Sequence, residues 1–273
     1  MTDPLRIAWL TTGRGPGSFG AFEYAVRAIG AGLPVEIAVL FLNRDREEAE
    51  PTDRLINFAE EHDIAVETLS SVAFRKEHGG KLSKPGEPLP LWRLEYDAAI
   101  ANVLADHEFD LGVMFGYMLI ATAPLHLRFP FINDHPALPD GPIGTYQEVI
   151  RQLIVSGPSD SGCMMNVVTS DVDRGPAVSY CRYAIRDAAN EALWRGASSA
   201  VVAGLAAAEL QGSPLFKDIR ARGVQRERPF LVETLRAIAA DTLSVPPTEP
   251  LELTAAVEAA LATGAPRAPA KQS

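Results

Sequence analysis

Ile132-Asn133-Asp134-His135-Pro136-Ala137-Leu138-Pro139 starts on an apolar residue, then sets a carboxamide, a carboxylate and an imidazole ahead of a proline-bounded turn. Downstream, Val168-Thr169-Ser170-Asp171-Val172-Asp173-Arg174-Gly175-Pro176 repeats the plan. Short apolar runs that end in polar turns read as buried strands giving way to loops. Side chains at such junctions are rigidly placed yet reachable by a ligand. Asn133, His135 and Asp173 supply the three groups needed to move an acyl group between nitrogens, so an enzyme is the leading reading.

The flanking elements set the fold class. Strands are expected at Arg6–Thr11, Val35–Leu42, Ile64–Leu69, Leu111–Phe115, Pro130–Asn133 and Met164–Thr169. Helices are expected between them, over Ala21–Ala31, Thr52–His62, Leu91–His107 and Tyr146–Val155. Phe74–Pro90 is rich in Gly, Pro and Lys and reads as an exposed loop. Strand and helix in alternation predict an α/β architecture, a Rossmann-like, mostly parallel sheet with helices on both faces. Beyond residue 185 the pattern turns helical, with Ala188–Leu210, Phe216–Arg222, Pro229–Ala240 and Leu251–Ala262. The expected organisation is an α/β domain over 1–185, a helical C-terminal extension over 186–262 and a disordered tail over 263–273.

Composition removes several function classes. At 273 residues and 47% hydrophobic, the chain has ample material for a core. A formal net charge of −10 argues against a nucleic-acid surface, which needs clustered Lys and Arg. No apolar run approaches the roughly 20 residues that span a bilayer. The N-terminus lacks the basic flank and apolar stretch of a signal peptide, so a cytoplasmic protein is expected. Cys163 and Cys181 read as core residues, not a disulfide framework. Glu60-Glu61-His62-Asp63 reads as a solvated helix end, and no metal is expected. Self-association is left open.

Thr11-Thr12-Gly13-Arg14-Gly15-Pro16-Gly17-Ser18-Phe19-Gly20 lies between a strand and a helix. Backbone N–H groups at such a junction converge, and the helix N-terminus favours negative charge, so a phosphate or carboxylate is the natural guest. Gly15 to Gly20 also fits the dinucleotide fingerprint G-x-G-x-x-G, with Arg44 placed to meet a 2′-phosphate. Against an NADP site stand Pro16, which removes a donor, and the lack of an acidic residue at the second strand end.

These stretches together resemble the formyltransferases that use 10-formyltetrahydrofolate, most closely the glycinamide ribonucleotide formyltransferase branch. The resemblance covers about residues 6–183 and rests on Ile7–Ser18, Arg93–Asp97, Asp110–Met118, Asn133–Pro139 and Thr169–Pro176. It implies the fold of that family and a catalytic group of Asn133, His135 and Asp173. A fixed carboxamide N–H can stabilise charge on a formyl oxygen. An imidazole can donate to the same oxygen and relay a proton to the departing nitrogen, with a carboxylate to hold it. The resemblance places 10-formyltetrahydrofolate beside Gly116, Met118, Leu119 and Ile120, with the backbone around Asp171 and Val172 closing the pterin side. It places the phosphate of a small-molecule amine acceptor on Gly15, Gly17 and Ser18, with Arg93 as a cation nearby. Several positions depart from the family pattern: Ala137 replaces a Ser and one Leu of the loop is missing, Phe19 replaces an Asn, Asn166 replaces a His and Leu119 replaces an Arg.

Other readings of the same residues are an amino-sugar formyltransferase or a formyltetrahydrofolate hydrolase, the latter disfavoured by the expectation that no regulatory domain precedes the sheet. From other classes come an inactive ligand-binding protein of the same fold and an NADP-binding oxidoreductase.

Overall fold

β1 (Leu5–Thr11) is fully enclosed from Ile7 to Leu10, as a continuous apolar run demands of a central parallel strand. The computed structural model to which it belongs describes residues 3–82, 87–202 and 207–264. α1 (Pro16–Gly30) opens on a proline, whose fixed φ suits the first helical position and whose missing N–H has no partner to lose there. There follow β2 (Val35–Leu42), α2 (Glu50–Glu60), β3 (Val66–Thr68), α3 (Ser71–Glu77), α4 (Trp92–Leu104) and β4 (Leu111–Met114). Next come α5 (Ala123–His126), β5 (Phe131–His135), α6 (Tyr146–Ser156), β6 (Asp160–Val167) and β7 (Ala177–Ala184). The C-terminal part holds α7 (Glu191–Val202), α8 (Ala207–Gly212), α9 (Pro214–Ala239), β8 (Leu251–Glu252) and α10 (Thr254–Thr263).

The described strands form one sheet in the order β3-β2-β1-β4-β5-β6-β7-β8. Pairing is parallel except at β6, which runs antiparallel to β5 and to β7. The chain leaves β1 towards β2 on one side and returns to β4 on the other, which opens a crevice beyond the carboxyl ends of β1 and β4. One face of the sheet packs Ile7, Trp9, Leu40 and Ile132 against α1 and α9. The other packs Leu10, Phe41, Met114 and Phe131 against Tyr96 and Ile100 of α4.

Several elements differ from the sequence expectation. α1 begins at Pro16 instead of Ala21, because three poor helix formers, Gly17, Ser18 and Gly20, hide its first turns. Ser71–Glu77, expected as loop at its C-terminal end, is helical, with the Ser70 hydroxyl accepting from Ala73 N at 3.1 Å. β7 was not expected, although Val178, Cys181 and Tyr183 turn inward from it. The two helices expected at Phe216–Arg222 and Pro229–Ala240 are one, α9, with Pro229 inside it. A mid-helix proline costs about 3 kcal/mol. Burying Phe230, Leu231, Val232 and Leu235 beside it, at roughly 1.5–3 kcal/mol each, outweighs that.

Residues beyond 186 share the N-terminal core, since Phe216, Ile219 and Phe230 of α9 belong to the cluster built on Ile7 and Trp9. Of the tail expected from 263, everything after Gly264 lies outside the described residues. Among the described residues no helix is long and apolar enough to cross a membrane.

Candidate active site

The crevice beyond β1 and β4 is closed by hydrogen bonds between the two strand ends. Thr12 N donates to Gly116 O at 3.1 Å, and Met118 N donates to the Thr12 hydroxyl at 3.0 Å. Gly116 has φ +68°, and a Cβ there would come within 2.5 Å of Ser18 Oγ, so glycine is required twice over. The Gly-rich loop and the segment after β4 are thereby held against each other. Gly15 is the extended N-cap of α1, while Gly17 and Ser18 lie in its first turn.

β5 continues the site. Its Asn133 pairs in register with Met114 of β4 on one side and with Asn166 of β6 on the other. Successive strand residues alternate faces, so Asn133 and His135 share the face of Phe131. The loop between β6 and β7 turns back over that face. Asn133 Nδ2 donates to Asp173 Oδ1 at 3.4 Å, and His135 Nδ1 lies 3.5 Å from Asp173 Oδ2. Residues forty positions apart in sequence thus meet around one point. Asp173 has φ +56°, a conformation Asp tolerates better than most residues and one that clusters where function holds it. The fold of the loop is set locally, by Asp171 N donating to the Thr169 hydroxyl at 3.3 Å and Arg174 N to Asp171 O at 3.1 Å.

His135 Nε2 lies 2.9 Å from Pro142 O. A carbonyl only accepts, so Nε2 carries the hydrogen of that bond and Nδ1 is the nitrogen that faces Asp173. The His135 side chain is 3% exposed, while the Asp173 side chain is 14% exposed and opens the group to solvent. Directly opposite Asn133, Asn166 is buried and its Oδ1 has no hydrogen-bond partner among the described residues. A buried carbonyl oxygen left bare costs about 1–3 kcal/mol, so this spot suits a polar guest. A separate cleft of about 560 Å³ opens at Asp140, Gly141, Pro142, Arg151, Gln152, Val155 and Ser156, and its lining includes none of the three side chains.

The residues expected to hold a folate are partly open. Met118, Ile120 and Val172 expose apolar side chains, Leu119 packs against the Phe131 side of the sheet, and Asp171 is exposed. Exposed apolar side chains are a suitable lining for a flat heteroaromatic ring. Arg93 departs from its expected contact with the acceptor. It is buried on α4, its Nη2 donating to Ile120 O at 2.8 Å and lying 3.4 Å from Asp97 Oδ1. Asp97 in turn accepts from Thr122 N, and its burial raises the carboxyl above the usual range. The apolar surroundings of α4 and the need to satisfy this carboxylate draw the guanidinium inward, so Arg93 braces the segment from Gly116 to Thr122. Sequence reading missed Pro142 as the partner that orients His135, since a backbone carbonyl leaves no trace in residue type. Among the described residues no group of three or more His, Cys, Asp or Glu is arranged to hold a metal ion.

Comparison with known proteins bears on what this arrangement serves. A family model described as Formyl transferase matches residues 56–197, more than half of the 273 residues. The human trifunctional purine biosynthetic protein adenosine-3 is 30% identical over 88 residues, a match that spans 32% of this chain and only 8% of that protein. Among solved structures, glycinamide ribonucleotide transformylase 1 from Symbiobacterium toebii superposes with a TM-score of 0.61 at 22% identity, over 88% of this chain and 90% of that one. The phosphoribosylglycinamide formyltransferase of Coxiella burnetii gives 0.59 at 18% identity, over 87% and 88%. At these identities the likeness speaks for a common fold.

Proposed function

The chain belongs to the formyl transferase family, and on that premise we propose that it moves a formyl group from 10-formyltetrahydrofolate to a primary amine of an anionic small molecule, glycinamide ribonucleotide or a related acceptor. The observation that carries this reading is the meeting of Asn133, His135 and Asp173, with Asp173 within 3.5 Å of each of the other two, at the edge of the crevice.

When bound, the folate supplies a formyl group on a nitrogen that can leave. Gly116, Met118, Leu119 and Ile120 would hold it from one side, and the backbone of Asp171 and Val172 from the other. Asn133 Nδ2 then donates to the formyl oxygen as negative charge gathers there. Such a preset donor is worth about 2.7–4 kcal/mol of barrier. His135, fixed by Pro142 O through Nε2, presents Nδ1 to the reacting atoms and moves a proton between the attacking and departing nitrogens. Asp173 accepts from that nitrogen and holds the imidazole in place while the proton is in transit. Gly15, Gly17 and Ser18 would take the acceptor's anion at the start of α1.

The test is direct. Incubation with 10-formyltetrahydrofolate, with and without glycinamide ribonucleotide, is followed by release of tetrahydrofolate. Release that depends on the acceptor supports the proposal; release without it would make the chain a hydrolase. No release under either condition rejects formyl transfer to this acceptor, and a screen of phosphorylated amines then decides the class.

A further inference from the structure

Arg228 of α9 lays its guanidinium against Gly20, so closely that a Cβ at residue 20 would meet its carbon and both terminal nitrogens. Gly20 is buried in the second turn of α1, and the missing side chain is what admits the cation. Residues three apart share a helix face, so Gly17 lies on that face one turn nearer the start of α1. The guanidinium therefore sits within about one helical turn, roughly 5 Å of rise, of the N–H groups that open the helix.

The charge of Arg228 is also left over. The chain holds 35 acidic residues against 25 basic ones, and Arg6, Arg27, Arg46, Arg186 and Arg222 each have a carboxylate within 3.4 Å. Arg228 has no ion pair or hydrogen bond among the described residues, although its neighbour Glu227 pairs with Arg220. Its guanidinium is half-buried and carries five N–H donors, none of them committed to a carboxylate among the described residues. On the other flank of the same turn, Arg54 lies 4.1 Å over the ring of Phe19.

We propose that Arg228 is a specificity-determining residue at the acceptor end, binding a phosphate dianion seated on the first turn of α1 and so selecting amines that carry one. The inference rests on the acceptor-side reading given above. A planar guanidinium matches two phosphate oxygens at once, which an exposed lysine does not. Gly20 sets its distance, and Arg54 adds longer-range attraction only.

The experiment uses the full chain, with inorganic phosphate as the first probe and glycinamide ribonucleotide as the second. Phosphate should raise the unfolding temperature of the wild type by mass action. R228Q should weaken phosphate binding about tenfold, whereas R54Q should change it less than about threefold and lose that effect in high salt. R228M keeps the packed stem without the charge and serves as the second neutral variant should R228Q not fold. In turnover, KM for glycinamide ribonucleotide should rise about tenfold with kcat nearly held, as expected for lost uniform binding. A wild type that does not bind phosphate, or neutral variants that bind it as tightly as the wild type, would overturn the proposal. Phosphate binding that depends on Arg228 in a chain that transfers no formyl group would reject the reaction and leave the anion site standing.

Discussion

The two faces of β5 do opposite things within five residues. Asn133 and His135 look towards the loop that carries Asp173, and their polar atoms are held by that loop and by Pro142 O. Ile132 and Asp134 look towards α9, where Ile132 joins the core and Asp134 meets the charges of Glu227 and Arg220. Asp134 Oδ1 is shut off from solvent without a hydrogen-bond partner among the described residues. One face places polar groups where a reacting atom can reach them; the other tolerates a carboxyl group at a cost in stability. The period of two along a strand is all that separates them. Adjacent residues of similar polarity should therefore fail in different assays.

The largest effect is expected at His135. His135→Ala should lower kcat by about 10²–10⁴-fold, the usual worth of a positioned acid–base group, while folate binding changes little. Asn133→Ala should cost about 10²–10³-fold in kcat through the lost donor. Both are read by single-turnover formyl transfer. Asp134→Asn in the same assay should remain within about threefold of the wild type, as for residues outside the reacting group. If Asp134→Asn fell as far as His135→Ala, the division between the faces would be lost.

Arg93 sharpens the contrast between holding and reacting. Arg93→Met leaves Asp97 as a buried carboxylate without its cation and frees the carbonyl of Ile120. Breaking a buried pair from one side costs about 3–5 kcal/mol, so the urea midpoint should drop strongly. Loosening of the segment after Gly116 should then raise the apparent Kd for folate. A variant with normal stability and a raised KM for the acceptor alone would instead return Arg93 to direct acceptor binding.

Legibility in the sequence follows the same physics. The strands Val35–Leu42 and Leu111–Met114 were readable because apolar runs bounded by turns have few other homes. Asn133, His135 and Asp173 stood out as residue types, but their meeting depends on a loop turning back over the sheet, which no local pattern encodes. The helical start at Pro16 was masked by glycine and serine, whose propensities oppose the helix that packing imposes. Continuity of α9 through Pro229 was hidden for the same reason, since burial outweighs a local penalty. Arg93 reads as a surface cation in any one-dimensional view; only its closeness to Asp97 and Ile120 shows where it goes. Arg228 was invisible because its significance lies in its contact with a glycine about two hundred residues away.

The smallest effect is the most discriminating. Burial, and then the charge of Glu227, push the Asp134 carboxyl well above its ordinary value, with Arg220 opposing them in part. In the unfolded chain the group ionises near pH 3.9, about the reference for aspartate. Between that pH and the higher folded value, the folded state binds more protons than the unfolded state, so stability falls as pH rises through the window. Below it nothing is lost. The carboxamide introduced by Asp134→Asn does not titrate. The advantage of that variant should therefore be near zero at pH 4 and grow to about 1 kcal/mol at pH 8, the scale of one poorly solvated polar group. Urea unfolding at the two pH values measures it. A difference that shrinks with rising pH would mean that Arg220 governs the carboxylate, and that this face of β5 holds a stabilising ion pair in place of a strained acid.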